Sequence, residues 1–191
     1  MTRLVCLDPG HGGSDSGAVA GGIRESDLNL RVVREVAKQI TAQGLRVIQT
    51  HNGMPSTRKL YNYARCAVAN KARADVFLAV HNNASVSVSA RGFEVIHAPA
   101  SLFGTAFAKL LSKELDAMPE PDIDPRSRSI ITDDDTGRGP YTVLRQTVMP
   151  ACLVELAFLT NAGDRAFVTS PSGITRLASA LARALVQFCK Q

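Results

Sequence analysis

Tryptophan is absent from this 191-residue chain and tyrosine occurs only three times, which argues against aromatic platforms for stacking single-stranded nucleic acid. No apolar stretch approaches the ~18 residues needed to cross a bilayer, because charges or glycines interrupt each one, so membrane insertion is not expected. Lysine and arginine total 22 against 17 acidic residues, a formal charge of +5. They form no basic block, so the surface favours anionic partners without selecting nucleic acid. The four cysteines, Cys6, Cys66, Cys152 and Cys189, contain no CxxC pair. Three sit in apolar runs and read as small core residues, reduced and without a metal role. There is no internal repeat, low-complexity tract or linker. With 45% hydrophobic and 20% charged residues, the composition fits one globular domain over residues 1–191. The opening Met1-Thr2-Arg3-Leu4-Val5-Cys6-Leu7-Asp8 is too short, and gains a carboxylate too early, for a secretory signal. Release by another route, or removal of an earlier signal, is the expectation.

What is present is an alternation of short apolar runs with segments of helical period, the pattern of an α/β domain with a mainly parallel sheet. Leu4-Val5-Cys6-Leu7 reads as a first strand, stopped by Asp8-Pro9-Gly10. Leu28, Val32, Val33, Val36 and Ile40 then recur at helical spacing, with Ser26 or Asp27 as cap and Gly44 at the helix end. Leu45–Ile48, Asp75–Val80, Gly92–Ile96 and Ala151–Glu155 read as further strands. Residues 56–72 and 102–118 read as helices, and 119–140 as a Pro- and Asp-rich surface loop. A last helix places Ile174, Leu177, Ala178, Leu181 and Leu185 on one face, with Ser172 as its cap.

Four reactive side chains fall at or just beyond the carboxyl ends of these strands, where open α/β sheets collect ligands. His11 follows the first strand, Glu25 precedes the first helix, His81 closes the third strand, and Glu155 ends the last. Two imidazoles and one carboxylate make a catalytic zinc set with a position left for water. A second carboxylate would serve as the proton acceptor of metal-assisted hydrolysis. Each residue also has a plainer reading. His11 could be a polar turn residue, Glu25 a helix N-terminal carboxylate, His81 a solvated strand end, and Glu155 the partner of a buried arginine. The Gly10–Gly13 loop could cradle a phosphate, but no GxGxxG or Gly-Lys-Ser/Thr accompanies it.

The chain resembles the zinc-dependent N-acetylmuramoyl-L-alanine amidases of the amidase-3 type. Leu7-Asp8-Pro9-Gly10-His11-Gly12-Gly13 matches that family's first-strand motif. Asp15-Ser16-Gly17-Ala18 and Ile23-Arg24-Glu25-Ser26-Asp27-Leu28 match its continuation. Ala69-Asn70-Lys71-Ala72 through Val80-His81 matches the segment ending in the second zinc histidine. Val143-Leu144-Arg145 and Pro150-Ala151-Cys152-Leu153-Val154-Glu155 match the region of the catalytic glutamate. These blocks cover essentially the whole chain. The resemblance implies a twisted, mostly parallel sheet flanked by helices on both faces. It also implies one Zn2+ ion on His11, Glu25 and His81, with Glu155 as base.

By the same resemblance the substrate is peptidoglycan, cut between N-acetylmuramic acid and L-alanine at the cell wall or in the periplasm, by a protein of the endolysin or cell-wall amidase kind; a monomer is the expectation. Arg145 and Asn83 are substrate-contact candidates, with a structural ion pair equally open for Arg145. His51 follows Thr50 where the family often has Arg, Asn82 replaces a small residue, and Ala157 replaces a frequent Gly. His51 and His97 read as surface or turn residues, and Asp133-Asp134-Asp135 as a solvated loop. The alternatives are a non-catalytic wall-binding module on the same fold, or a zinc peptidase of other specificity.

Overall fold

A computed structural model describes residues 2–55, 57–118 and 130–191. The chain runs β1 (Leu4–Pro9), a hairpin of β2 (Val19–Ala20) and β3 (Ile23–Arg24), α1 (Glu25–Ala42), β4 (Arg46–Gln49), α2 (Asn62–Ala72) and β5 (Val76–Asn83). Then come β6 (Glu94–His97), α3 (Leu102–Asp116), β7 (Ile130–Thr132), a 3-10 turn Asp133–Thr136 and α4 (Thr142–Arg145). β8 (Ala151–Phe158), α5 (Ala162–Thr169) and α6 (Pro171–Cys189) complete it.

The sheet order is β4-β1-β5-β8-β6-β7, and every pairing is parallel except β6 with β8. The central strands β1, β5 and β8 are apolar along most of their length because both faces of the sheet are covered. Alternation divides their side chains. Val5, Leu7, Leu78 and Val80 pack with Val32, Val36 and Ile40 of α1 and Leu177, Leu181 and Leu185 of α6. Cys6, Phe77, Ala79 and Leu153 pack on the other face with Cys66 and Ala69 of α2 and Val143 and Leu144 of α4. The expected single-domain, mostly parallel sheet between helical layers is therefore the fold.

The structure corrects several local expectations. α1 begins at Glu25, with Arg24 as an N-cap that makes no side-chain cap bond; Ser26 and Asp27 lie inside the first turn. The last helix is capped by Ser170, whose Oγ accepts from Gly173 N, rather than by Ser172. Residues 57–61 are not helical, because tertiary hydrogen bonding outweighs local propensity there: Ser14 N donates to the Arg58 carbonyl at 2.7 Å. Within the expected 119–140 loop, residues 119–129 lie outside the described residues, while 130–136 form β7 and the 3-10 turn. His97 is buried on β6 rather than at the surface, because β6 is an inner strand of the sheet. All four cysteines are free, with Cys6, Cys66 and Cys152 buried. Among the described residues no helix is long and apolar enough to cross a membrane.

Candidate metal centre and active site

Parallel strands β1, β5 and β8 deliver their carboxyl ends to one edge. Each contributes to the site there: the loop after β1 carries His11, β5 carries His81, and β8 carries Glu155, which pairs in register with His81. α1 enters over the same edge and supplies Glu25 from its first position. A register shift between His81 and Asn83 marks a β-bulge, a device that re-aims side chains beside functional sites.

One donor atom from each of His11, Glu25 and His81 lies within 4.8 Å of the others. Glu25 Oε2 stands 3.2 Å from His11 Nε2, and Oε1 stands 3.0 Å from His81 Nδ1. The two imidazoles meet edge to face, with centroids 4.9 Å apart. Glycine permits this crowding. A Cβ at Gly10 would come within 2.2 Å of the His81 ring, and one at Gly17 within 2.5 Å of Glu25 Oε2.

Further groups hold the donors in place. His11 Nδ1 faces Asp15 Oδ1 at 3.1 Å, so the carboxylate orients the ring from behind. His11 adopts φ +62°, a left-handed conformation that costs a non-glycine residue about 1–3 kcal/mol. Its carbonyl accepts from Arg65 Nη2 at 2.5 Å and from His51 Nε2 at 3.1 Å. Gly53 N donates to His51 Nδ1, which fixes the tautomer with the proton on Nε2. Arg65 is itself buried and paired with buried Asp8 at 2.7 Å. Asn29 Nδ2 donates to Glu25 Oε1 and to the Gly10 carbonyl, both at 3.2 Å, and Asn82 Nδ2 donates to Asn29 Oδ1 at 2.9 Å.

These surroundings set the ionisation. Burial alone would raise the Glu25 carboxyl, but hydrogen bonds and charge from His11 and His81 hold it well below the usual carboxylate range. Burial would lower His11, yet Glu25 and Asp15 outweigh it and hold the imidazole above its ordinary value. For Glu155 burial wins: the carboxyl is pushed up to about 7, against the opposing pull of His81 and Arg138. Its Oε2 is buried with no hydrogen-bond partner.

A metal ion suits this arrangement. Zinc is a borderline ion that accepts imidazole nitrogen and carboxylate oxygen alike, and the two imidazoles and the ionised carboxylate converge from three elements. Beside them Glu155, whose Oε2 is buried without a hydrogen-bond partner, belongs to the lining of a cavity of about 530 Å³ that all four residues share. Such an atom calls for a water or ligand in front of it. With a metal bound, such an arrangement could combine Lewis-acid and general-base chemistry.

Of the residues singled out from sequence, His11, Glu25, His81, Glu155 and Asn83 line this one cavity. Asn83 is buried, its amide donating to Glu94 Oε2 at 2.8 Å while its oxygen accepts from Arg138 at 3.1 Å. Arg145 does not line the cavity. Its Nε and Nη2 grip Asp133 at 2.8 and 2.6 Å, and Nη2 also reaches Asp134 at 2.6 Å, so the geometry carries its ion-pair reading. Asp133 is buried rather than solvated. Sequence reasoning assigned no role to Asp15, Asn29, Arg65 or Arg138. Asn29 and Arg65 did leave a signal, each being a polar residue inside an apolar helical register; Arg138, in a Gly-Arg-Gly-Pro loop, left none.

Fold and donor set together define a class: an α/β domain with a His–Glu–His group at the carboxyl edge of its sheet that could hold a metal ion. The chain belongs to the N-acetylmuramoyl-L-alanine amidase family Amidase_3, whose model matches residues 5–187. It is 31% identical over 163 residues to N-acetylmuramoyl-L-alanine amidase LytC of Bacillus subtilis strain 168, a match covering 85% of this chain and 30% of that protein. It is 30% identical over 188 residues to the endolysin of Bacillus phage SPP1, covering 98% of this chain and 66% of that protein. The chain thus spans less than two thirds of either relative. Among solved structures, N-acetylmuramoyl-L-alanine amidase AmiC2 of Nostoc punctiforme superposes with a TM-score of 0.85 at 26% identity, covering 99% of this chain and 98% of that one.

Proposed function

We propose that this chain hydrolyses the amide bond between N-acetylmuramic acid and the L-alanine of the stem peptide in peptidoglycan, acting at the cell wall or in the periplasm. His11, Glu25 and His81 would hold one zinc ion, and Glu155 would act as the base. One observation carries the reading: three converging donors share a cavity with a buried carboxylate that has an unpartnered oxygen. Zinc at such a donor set supplies Lewis acidity that favours attack of water on a carbonyl near neutral pH.

The chain's own groups do the remaining work. Glu155, with its carboxyl pushed up to about 7, is matched to a proton that must be taken up and given back near neutral pH. Its carboxylate accepts a proton from the attacking water. It then returns that proton to the departing L-alanine nitrogen as the C–N bond breaks. One water is consumed, leaving a carboxyl on the muramic acid and a free amine on the peptide. Asp15, Asn29 and Arg65 hold the donors still, so little reorganisation accompanies the reaction.

The test is digestion of purified peptidoglycan by the zinc-loaded protein, with chelator and zinc add-back controls, read by mass spectrometry. Stem peptides beginning with a free L-alanine amine, lost on chelation and restored by zinc, are expected. Fragments cut at other peptide bonds would support a peptidase instead. No release despite bound zinc would leave a wall-binding module.

A further inference from the structure

A second cavity, of about 480 Å³, adjoins the first. The two share Asn83, Tyr141, Glu155 and Arg138 in their linings, so Arg138 stands at the junction. Its side chain is 55% exposed. Its guanidinium donates from Nη2 to Asn83 Oδ1 at 3.1 Å and lies within hydrogen-bonding reach of the Tyr141 hydroxyl. Nη1 lies 3.8 Å from Glu155 Oε1, an ion-pair distance too long for a hydrogen bond. Arginine has five N–H donors, so most of its capacity remains to be used in the cavities.

The surroundings fix where those donors sit. Asn83 presents its oxygen to Arg138 because its amide nitrogen donates to Glu94 and the same oxygen accepts from Ala84 N at 2.9 Å. Tyr141 Oη lies buried against the guanidinium, where it can back the Arg138 side chain. Arg138 thus stands at the junction, held by Asn83 and Tyr141, with N–H donors to spare.

Charge adds direction. The larger cavity is lined by Asp8, Asp15, Glu25 and Glu155, and its lysine and arginine lining is Lys59, Arg65 and Arg138. Arg65 is committed to Asp8 and to the carbonyls of Pro9 and His11. Lys59 is drawn to Asp15 at 3.7 Å. An anionic group entering this acidic cleft therefore meets its free donors at Arg138.

We infer that Arg138, with the Tyr141 hydroxyl beside it, is a carboxylate receptor that takes the free α-carboxylate of the stem-peptide residue following L-alanine. The inference rests on the amidase reading for its ligand. The reach agrees: successive Cα atoms lie about 3.8 Å apart, so this carboxylate lies at most about 7 Å, two residue lengths, from the scissile nitrogen, and Arg138 Nη1 stands 3.8 Å from Glu155 Oε1. A guanidinium can take it with two parallel N–H donors, and an amide in its place offers neither the charge nor the second acceptor. Asn83 is then a positioning residue that keeps the fork in the cleft.

The test uses two probes, N-acetylmuramoyl-L-alanyl-D-isoglutamate and the matching D-isoglutamine amide, with the wild-type chain, Arg138→Gln and Arg138→Lys. Turnover is measured on the zinc-loaded proteins, and binding to the metal-free proteins by calorimetry. The wild type is expected to prefer the acid over the amide by about ten- to hundredfold, the scale of a hydrogen bond to a charged group. Arg138→Gln should lose that preference and Arg138→Lys keep part of it. A wild type indifferent to the two probes, or a preference that survives in Arg138→Gln, would overturn the receptor. Should neither probe be cut while the binding preference appears and vanishes with Arg138, the receptor stands and the amidase reading falls.

Discussion

Glu25 and Glu155 are the same residue type, both buried, at the same edge of one sheet, and their surroundings are opposite. Glu25 Oε1 meets His81 Nδ1, Asn82 N and Asn29 Nδ2, while Oε2 meets His11 Nε2 and Ala18 N. Glu155 has one oxygen without a partner and the other 3.8 Å from a guanidinium. One carboxyl is held well below the usual range and the other pushed up to about 7. Partners, rather than residue identity, divide the roles. The cradle side is over-determined and suited to a fixed ion, and the β8 side is left open for water, a proton and substrate.

Breaking the open side should cost function and spare the fold. Glu155→Gln is expected to lower release of stem peptides from peptidoglycan by about 10²- to 10⁴-fold, the usual share of general acid–base catalysis. Zinc content by elemental analysis should match the wild type. Breaking the fixed side should do the reverse in order: Glu25→Ala loses zinc first, and hydrolysis disappears with it. If Glu155→Gln lost zinc, or Glu25→Ala kept it, the division between the two sides would fail.

The support beneath the cradle gives the next effect. Arg65→Met leaves Asp8 buried without its 2.7 Å partner and frees the His11 carbonyl from its shortest hydrogen bond. Removing one member of a buried pair costs about 3–5 kcal/mol, which urea unfolding of the variant should register. The equivalent change on the open side, Arg138→Gln, removes a half-exposed group and should leave the unfolding midpoint close to that of the wild type.

This contrast also explains what was legible in the sequence. β1, β5 and β8 declared themselves because buried parallel strands are nearly continuous apolar runs, and α1 and α6 because each lays one stripe on the sheet. His11 and His81 followed, since they sit where those runs stop, whereas Glu155 stands inside β8, whose apolar run continues to Phe158. The β2–β3 hairpin was silent because each of its strands has two residues, too few for any period. α5 and α4 are short for the same test. The helix expected from residue 56 was overruled at 57–61 by a hydrogen bond to the Gly13–Ser14 loop, a tertiary fact with no local trace. Arg138 belongs to the open side, built from loop residues that only the fold brings to Glu155.

A smaller effect sharpens the role of the groups behind the donors. Asp15→Asn keeps a hydrogen-bond acceptor for His11 Nδ1 but removes its charge. Zinc affinity is expected to fall about 10- to 100-fold, the usual loss for an outer partner of a ligating histidine. Competition with a calibrated chelator measures it. An unchanged affinity would mean that Glu25 alone sets the His11 ring.

The two glutamates also give the metal-free protein a pH-dependent stability. Glu25 is held below its ordinary 4.5, so its contribution to stability is present above that pH and is lost as acid protonates it. Glu155 has the opposite sign. Its folded value of about 7 lies above 4.5, so between these limits the folded state binds more protons than the unfolded chain. Its contribution is complete below pH 4.5 and is lost as pH rises through about 7, by at most about 3 kcal/mol at 1.36 kcal/mol per unit. His11, held above 6.5, loses its contribution in the same direction at higher pH. Urea unfolding at pH 5 and pH 7.5 should therefore show a decline in the metal-free wild type that Glu155→Gln largely removes, leaving the smaller share due to His11. A decline of the same size in both proteins would mean that Glu155 is already ionised at pH 5, with water reaching its second oxygen, and the contrast between the two glutamates would then lie in their partners alone.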